Sequence, residues 1–168
     1  MFKFFAELSV RSIIEKDNTG HKKNFLPWDK IEKIALVVSK QESLNKSQLD
    51  KFVSDTKKFV EVFYVELSSK EATYADWHCF TKKDASFLKL PKNAVMEDLK
   101  KKKFDLVINT ATENDLFATA VCGALPAVFK CGSSSKYNET GLIIERTDNA
   151  KLLDYLNETL KYLKMIRA

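Results

Sequence analysis

The chain has 168 residues, a length that corresponds to one domain or to one domain with an appendage. Its residues are 45% apolar and 30% charged, and 28 basic against 23 acidic side chains give a net charge of +5. This composition excludes collagen-like, coiled-coil and disulfide-scaffold proteins, and no apolar run reaches the roughly 18 residues that a membrane span needs.

Helical and strand patterns alternate along the chain. They predict helices over residues 2–16, from Ser43 to Phe59, over 93–99 and 115–122, and from Leu152 to Ile166. They predict strands over residues 33–38, 60–67, 77–81, 104–109, 127–131 and 141–145. The short continuous apolar runs at 33–38 and 104–109 are typical of central parallel strands, which are buried on both faces. Ser43 and Asn114 are expected to cap the helices after them, Thr147 or Asp148 to stand at the start of the last helix, and Gly123 to end the helix over 115–122.

This alternation indicates βαβ units with right-handed crossovers. We therefore predict an α/β three-layer sandwich with a mainly parallel sheet of five or six strands, Rossmann-like or flavodoxin-like. Residues 17–24 are polar and contain a glycine, so we expect an N-terminal helical appendage and linker over 1–24 and a single α/β domain over 25–168. The first helix could also lie on a membrane surface, but its apolar positions scatter around the helical wheel, which favours packing on the domain or fraying.

Charge and cysteine content restrict the partners. Only three of the 28 basic residues are arginine, the side chain that best matches phosphates and guanine edges, so we do not expect a dedicated nucleic-acid reader. The three cysteines and two histidines show no C-x-x-C or other metal-ligand spacing, so no metal site is expected. With no secretory signal and no transmembrane segment in the sequence, we expect a cytoplasmic protein with reduced thiols.

The usual nucleotide-binding loops are missing. Dinucleotide binding needs glycines after the first strand, yet residues 39–43 read Ser-Lys-Gln-Glu-Ser, and the four glycines form neither G-x-G-x-x-G nor a P-loop. We therefore expect no cofactor of the NAD, FAD or nucleoside-triphosphate type.

A ligand site is predicted where parallel strands end together. In such sheets ligands bind beyond the carboxyl ends of the strands, at the point where the strand order reverses, and nearby helix starts offer backbone N–H groups. The predicted ligand-binding residues are Ser39, Lys40, Asn109, Thr110 and Glu113, with the loop 133–136 as a rim. Lys40 adds positive charge, so a small ligand with a carboxylate or phosphate group is expected.

Two segments allow other interpretations. In the loop 109–115, Glu113 or Asp115 could serve as an acid–base group, or Thr112 and Asn114 could simply cap the following helix. Residues 76–84 gather Trp77, His78 and Cys79, but neighbouring side chains of a strand point to opposite faces, so a Cys–His pair is not expected.

The segments 76–84, 103–109 and 125–132 together resemble an uncharacterised family of small bacterial domains of unknown function, over about residues 1–165. That resemblance implies no activity and no functional residue. The last two segments also resemble the N-terminal Rossmann-like half of two-domain heptosyltransferases, in which a strand ending in Asp-Leu-hydrophobic-Ile-Asp/Asn precedes a helix. Those enzymes bind the nucleotide-sugar donor mainly in a second domain, for which 168 residues leave no room, so the likeness argues against that activity.

Three functions remain after these exclusions. The first is a non-catalytic binding or scaffold domain, which the incompleteness of every catalytic motif favours. The second is a small transferase-like or hydrolytic enzyme that uses the crevice at residues 109–115. The third is a lysine-driven binder of anions, nucleic acid or a membrane surface.

Overall fold

The computed structural model describes residues 1–18, 24–41, 44–133, 136–137, 140–147 and 149–167, apart from the side chains of residues 17 and 18. The helices are α1 (Phe2–Asn18), α2 (Lys46–Thr56), α3 (Asn93–Lys100), α4 (Leu116–Ala124) and α5 (Leu152–Met165). The strands are β1 (Lys33–Ser39), β2 (Phe59–Val65), β3 (His78–Phe80), β4 (Phe104–Asn109), β5 (Ala127–Gly132) and β6 (Leu142–Ile143).

The strands form one sheet in the order β3-β2-β1-β4-β5-β6, and all neighbouring strands run parallel. The sheet starts at β1 in its middle: the chain extends outward through β2 and β3 and then returns to pair β4 with the other side of β1. This is the strand order of Rossmann folds, and it places the topological switch point between β1 and β4. The predicted α/β sandwich with a parallel sheet is confirmed.

Helices cover both faces of the sheet. On one face, Leu36 and Val38 of β1 share a core with Leu49 of α2 and Leu156 of α5. On the other face, Val37 shares a core with residues of α3 and α4. Alternate residues of β1 thus enter two different cores, which explains why residues 34–38 of this strand are all apolar instead of every second one.

The helix α4 is buried on all sides. Its residues 117–124 are all buried, and none of its residues is charged. A helix that is apolar all round needs a cover on its outer face. The helix α1 supplies this cover, since Ala6, Val10 and Ile14 form a cluster with Ala120. The boundary between an appendage over 1–24 and a domain over 25–168 stays a prediction.

Gly123 lies inside α4, so the prediction that it ends this helix is wrong. Its position is explained by the contact with α1: a Cβ atom on Gly123 would lie only 2.7 Å from Cγ1 of Ile14. The glycine therefore allows α1 to approach α4 closely, and the helix ends one residue later, at Ala124.

Helix caps differ from those predicted. The cap of α4 is Asp115 and not Asn114, because the Asp115 carboxylate accepts a hydrogen bond from the N–H of Ala118. The cap of α2 is Asn45, whereas Ser43 lies outside the described residues. The last helix begins at Leu152 after Lys151, so Thr147 does not start it, and Asp148 lies outside the described residues.

The unusual segment 76–84 contains the edge strand β3 and, after it, a short 3-10 helix at Lys82–Asp84. Trp77 and Cys79 belong to one core, while His78 stacks on Phe63, which belongs to the core on the opposite face. As predicted, His78 and Cys79 point to different faces and form no catalytic pair. Within the described ranges, no helix is long and apolar enough to cross a membrane.

Candidate functional site

An open polar crevice of about 630 Å³ lies at the switch point, beyond the carboxyl ends of β1 and β4. The two strands are held in register by the pairing of Val37 with Asn109. Residues from three places in the chain form the walls: Ser39, Lys40 and Gln41 after β1, Thr110 to Asp115 after β4, and Ser133, Arg146 and Thr147 after β5 and β6.

The two sides of the switch point are joined at Ser39. Its hydroxyl donates a hydrogen bond to Oδ2 of Asp115, and Oδ1 of the same carboxylate accepts from the N–H of Ala118 at 2.9 Å. One carboxylate thus caps α4 and holds the end of β1 against it. Both of its oxygens are engaged in this structural role.

Arg146 forms a second connection across the crevice. Its guanidinium donates to the carbonyl of Thr110, to Oε1 of Gln41 and to the carbonyl of Ala150, each at 3.0 Å. The guanidinium also lies over the ring of Tyr155, 5.5 Å from its centroid. These contacts fix the cation at the crevice wall and use three of its five N–H groups, so at most two remain for a ligand.

Lys40 lies at the crevice but its ammonium group pairs with Glu66, the residue after β2, at 2.6 Å. Hydrogen bonds from Lys40 and then Thr73 lower the pKa of the Glu66 carboxyl. The Lys40 side chain is 57% exposed and that of Glu66 only 11%, so the ammonium group stays accessible to a second anion from the solvent side while Glu66 holds it.

Asn109 lies beneath the crevice and does not line it. The residue is only 4% exposed, and its Oδ1 accepts from the N–H of Ala111 at 3.1 Å. Such a bond to the backbone two residues ahead is an Asx turn. Asn109 therefore shapes the loop after β4, while the crevice brings together the other predicted residues, namely Ser39, Lys40, Thr110 and Glu113.

Of the described residues in the predicted rim 133–136, one lines the crevice and the other does not. Ser133 lines the crevice and its hydroxyl is 3.4 Å from the carbonyl oxygen of Ala111. Lys136 instead pairs with Glu7 of α1, at 3.3 Å. Residues 134 and 135 lie outside the described residues.

The two helix starts nearest the carboxyl ends of β1 and β4 each have one side-chain cap. Asn45 accepts from the N–H of Gln48, and Asp115 accepts from the N–H of Ala118. A cap of this kind occupies one of the several backbone N–H groups at a helix start, so the contribution of the remaining groups to a ligand site stays a prediction. The cationic side chains that line the crevice are Arg146 and Lys40.

The chain is similar to a known protein family over nearly all of its length. A family model described as "Family of unknown function (DUF6913)" matches residues 3–166. The chain belongs to this DUF6913 family. The prediction of an uncharacterised family is thereby confirmed, while the likeness to heptosyltransferases stays an expectation. No curated protein and no solved structure matches the chain.

Sequence reasoning did not identify Arg146 of this DUF6913 chain as a site residue. A signal for it existed, because Arg146 closely follows the last predicted strand, and parallel strands end at the same edge of a sheet. It is also one of only three arginines in the chain. Gln41 lies in the loop after β1 that was expected at the crevice, but its contact with Arg146 was not predicted, since it joins residues 105 positions apart.

The side chains that line the crevice of the DUF6913 chain are better suited to binding a ligand than to catalysing a reaction. Two cations, Lys40 and Arg146, stand with two carboxylates, Glu113 and Asp115, among hydroxyl and amide groups. In the described part of the chain, no group of three His, Cys, Asp or Glu side chains could hold a metal ion. Such a wall can bind a polar ligand through its charged and hydroxyl groups.

Proposed function

We propose that the DUF6913 chain is a Rossmann-like binding domain that holds a small ligand with a carboxylate or phosphate group in the switch-point crevice. The observation that supports this most is the fixed guanidinium of Arg146, which Thr110, Gln41 and Ala150 hold at the crevice wall. A cation that is already oriented loses little entropy when it binds an anion. Lys40 supplies the second positive group, and Glu113 is a partner for hydroxyl or amino groups of the ligand.

Volume and location agree with this function. A crevice of about 630 Å³ falls within the roughly 300–1,000 Å³ of small-molecule sites. In doubly wound sheets the same position holds ligands of many kinds. The ligand chemistry is therefore inferred from the charged residues and not from the fold.

Catalysis is the weaker alternative. Of the two acids named from the sequence, Asp115 already bonds the Ser39 hydroxyl and the N–H of Ala118, which disfavours it as an acid–base group. The exposed Glu113 would have to perform that role. If Glu113→Gln abolished turnover of a substrate without weakening its binding, the protein would be an enzyme instead.

The test is a thermal-shift screen with inorganic phosphate, sugar phosphates, nucleoside monophosphates and dicarboxylates. A ligand that binds only the native state raises stability by RT ln(1 + [L]/Kd), so a concentration-dependent rise in Tm is expected for at least one class. Lys40→Gln and Arg146→Gln should reduce this rise, whereas Arg167→Gln, at an exposed position near the chain end, should not. Because Arg146 also bonds the backbone, Lys40→Gln is the decisive variant.

A screen in which none of these compounds shifts the wild-type Tm would overturn the proposal. Equal shifts in the wild type and in Lys40→Gln and Arg146→Gln would do so as well, because the ligand would then bind elsewhere.

A further inference from the structure

Exposed apolar side chains are concentrated at one place on the surface. Of the twelve large hydrophobic residues that are exposed in the described chain, five lie within the first eight residues, and a sixth is Phe87. Phe2, Phe5 and Leu8 of α1, together with Phe87 and Leu88, line one groove of about 540 Å³. We call these five residues the apolar tip.

The helix α1 has two apolar faces, and this explains why its apolar positions scatter around the helical wheel. Ala6, Val10 and Ile14, spaced by four, are buried against α4. Phe2, Phe5, Ser9 and Ser12, spaced by three and four, line the groove on the other side. A solvent-facing helix surface normally carries charges, yet the helix residues that line this groove are apolar or serine.

The second part of the apolar tip is a tight turn. The N–H of Lys89 donates to the carbonyl of Ser86, and the N–H of Ser86 donates to the carbonyl of Leu90, so residues 86–90 close on themselves. Ala85 and Pro91 form an antiparallel bridge at the base of this turn. Phe87 is 83% exposed at its outer end, and Lys89 has a positive φ of 57°. The turn therefore presents an aromatic ring to the solvent.

Positive charge surrounds this turn. The segment 82–92 holds four lysines, at 82, 83, 89 and 92, and all four are exposed. Its only acidic residue is Asp84, whose Oδ2 accepts from the backbone N–H of Thr81 at 2.8 Å. On α1, the carboxylate of Glu7 pairs with Lys136. The acids of this region are thus engaged, while the four lysine side chains are exposed, with the Lys92 ammonium group donating to the carbonyl of Lys83 at 2.6 Å.

We infer that the apolar tip docks on an anionic lipid bilayer. Aromatic rings next to lysines are the pattern by which proteins insert shallowly between lipid headgroups, with the cations attracted to anionic lipids. The highly exposed rings of Phe2 and Phe87 project outward, which suits insertion into a deformable bilayer. A second copy of this chain would bring the same lysines against each other, and this repulsion disfavours self-association.

The test is cosedimentation of the full chain with vesicles of phosphatidylcholine containing about one third phosphatidylserine, compared with pure phosphatidylcholine. At about 0.1 M NaCl the protein should bind the anionic vesicles, and this binding should weaken as salt rises. Phe5→Ser combined with Phe87→Ser should reduce the partition coefficient at least about tenfold. The matched control is Phe59→Ser, since Phe59 is also highly exposed but lies outside the apolar tip.

A charge variant tests the same inference independently. Lys83→Gln combined with Lys89→Gln should weaken binding to anionic vesicles about 25-fold, at about fivefold for each lysine. Its control is Lys151→Gln with Lys161→Gln, two exposed lysines at the start of α5 and within it. All of these side chains are exposed, so the variants should keep the wild-type Tm.

Absence of wild-type binding to anionic vesicles would overturn the inference. Binding that neither the Phe5/Phe87 variant nor the Lys83/Lys89 variant reduces would also overturn it. A third contrary result is a wild-type dimer at micromolar concentration that the Phe5/Phe87 variant converts to a monomer, because the apolar tip would then serve a second copy.

Discussion

Cγ1 of Ile14 occupies the space beside Gly123 where any other residue would place its Cβ, at a distance of 2.7 Å. This contact joins the first helix of the chain to a helix that begins about 100 residues later. It sets how closely α1 can cover α4.

Gly123→Ala should therefore destabilise the protein. Alanine is favoured over glycine inside a helix by about 1 kcal/mol, but overpacking a close contact costs about 1–3 kcal/mol. We expect a net loss of about 1 kcal/mol in the free energy of unfolding, measured by urea denaturation. In the Ile14→Ala background the clash is absent, so the same substitution should become neutral or stabilising. A loss of equal size in both backgrounds would contradict this explanation.

Glu61 is the centre of a charged cluster at the start of the sheet. Its carboxylate lies 3.2 Å from Lys33 Nζ and 2.9 Å from both Lys102 Nζ and His78 Nε2, and the side chain is only 14% exposed. Desolvation alone would raise the pKa of this carboxyl, but hydrogen bonds from Lys102 and Lys33 outweigh it and lower the pKa. The ionised form is therefore the one that stabilises the fold.

The pH dependence follows from this direction. Stability from Glu61 should be fully present above its unfolded pKa, about 4.3, and should be lost as the pH falls through the lower folded pKa. Glu61→Gln should cost about 1–2 kcal/mol at pH 7 and flatten the stability profile below pH ~5. Glu97→Gln, which removes an exposed partner of Lys100, should leave the stability at pH 7 and the shape of the pH profile unchanged. Urea denaturation at several pH values measures this, and parallel profiles for wild type and Glu61→Gln would refute it.

The three thiols should differ in reactivity. Cys79 is half-buried and its Sγ donates to the carbonyl of Tyr74, whereas Cys122 and Cys131 are buried. Burial also raises the pKa of the Cys131 thiol. Iodoacetamide at pH ~8 should label Cys79 first in the native protein and all three after unfolding in urea, as read by mass spectrometry. Early labelling at Cys131 would show that the core around β5 opens more readily than we expect.

Asp115 should contribute to stability as a helix cap. Asp115→Ala removes the acceptor of both the Ala118 N–H and the Ser39 hydroxyl, so we expect a loss of about 1 kcal/mol. Asn114→Ala, at the exposed neighbouring position, is the matched control and should stay within a few tenths of a kcal/mol. Guanidinium denaturation of the two variants compares the predicted cap with the one in the structure. A larger loss for Asn114→Ala would favour the cap predicted from the sequence.

Local patterns determined the elements of this chain. The strand Phe104–Asn109 has the bounds that its apolar run predicted, and the alternation of strands with helices predicted the parallel sheet. These features follow from neighbours along the chain, since the period of apolar residues decides which backbone conformation buries them. The crevice after β1 and β4 was predicted from the parallel sheet, because the carboxyl ends of parallel strands meet at one edge.

Only the tertiary structure decided which residues meet at that edge and on the surface. The contact of Arg146 with Gln41 and the bond of Ser39 to Asp115 could not be predicted from the order of residues, because residues this far apart meet only when packing sets the strand order. Competition between nearby caps also had to be resolved in three dimensions, where Asp115 and not Asn114 reaches the N–H of Ala118. The same holds for α1: its apolar pattern looked scattered because it serves two faces, one buried by α4 and one left at the surface, and periodicity alone cannot separate two overlapping stripes.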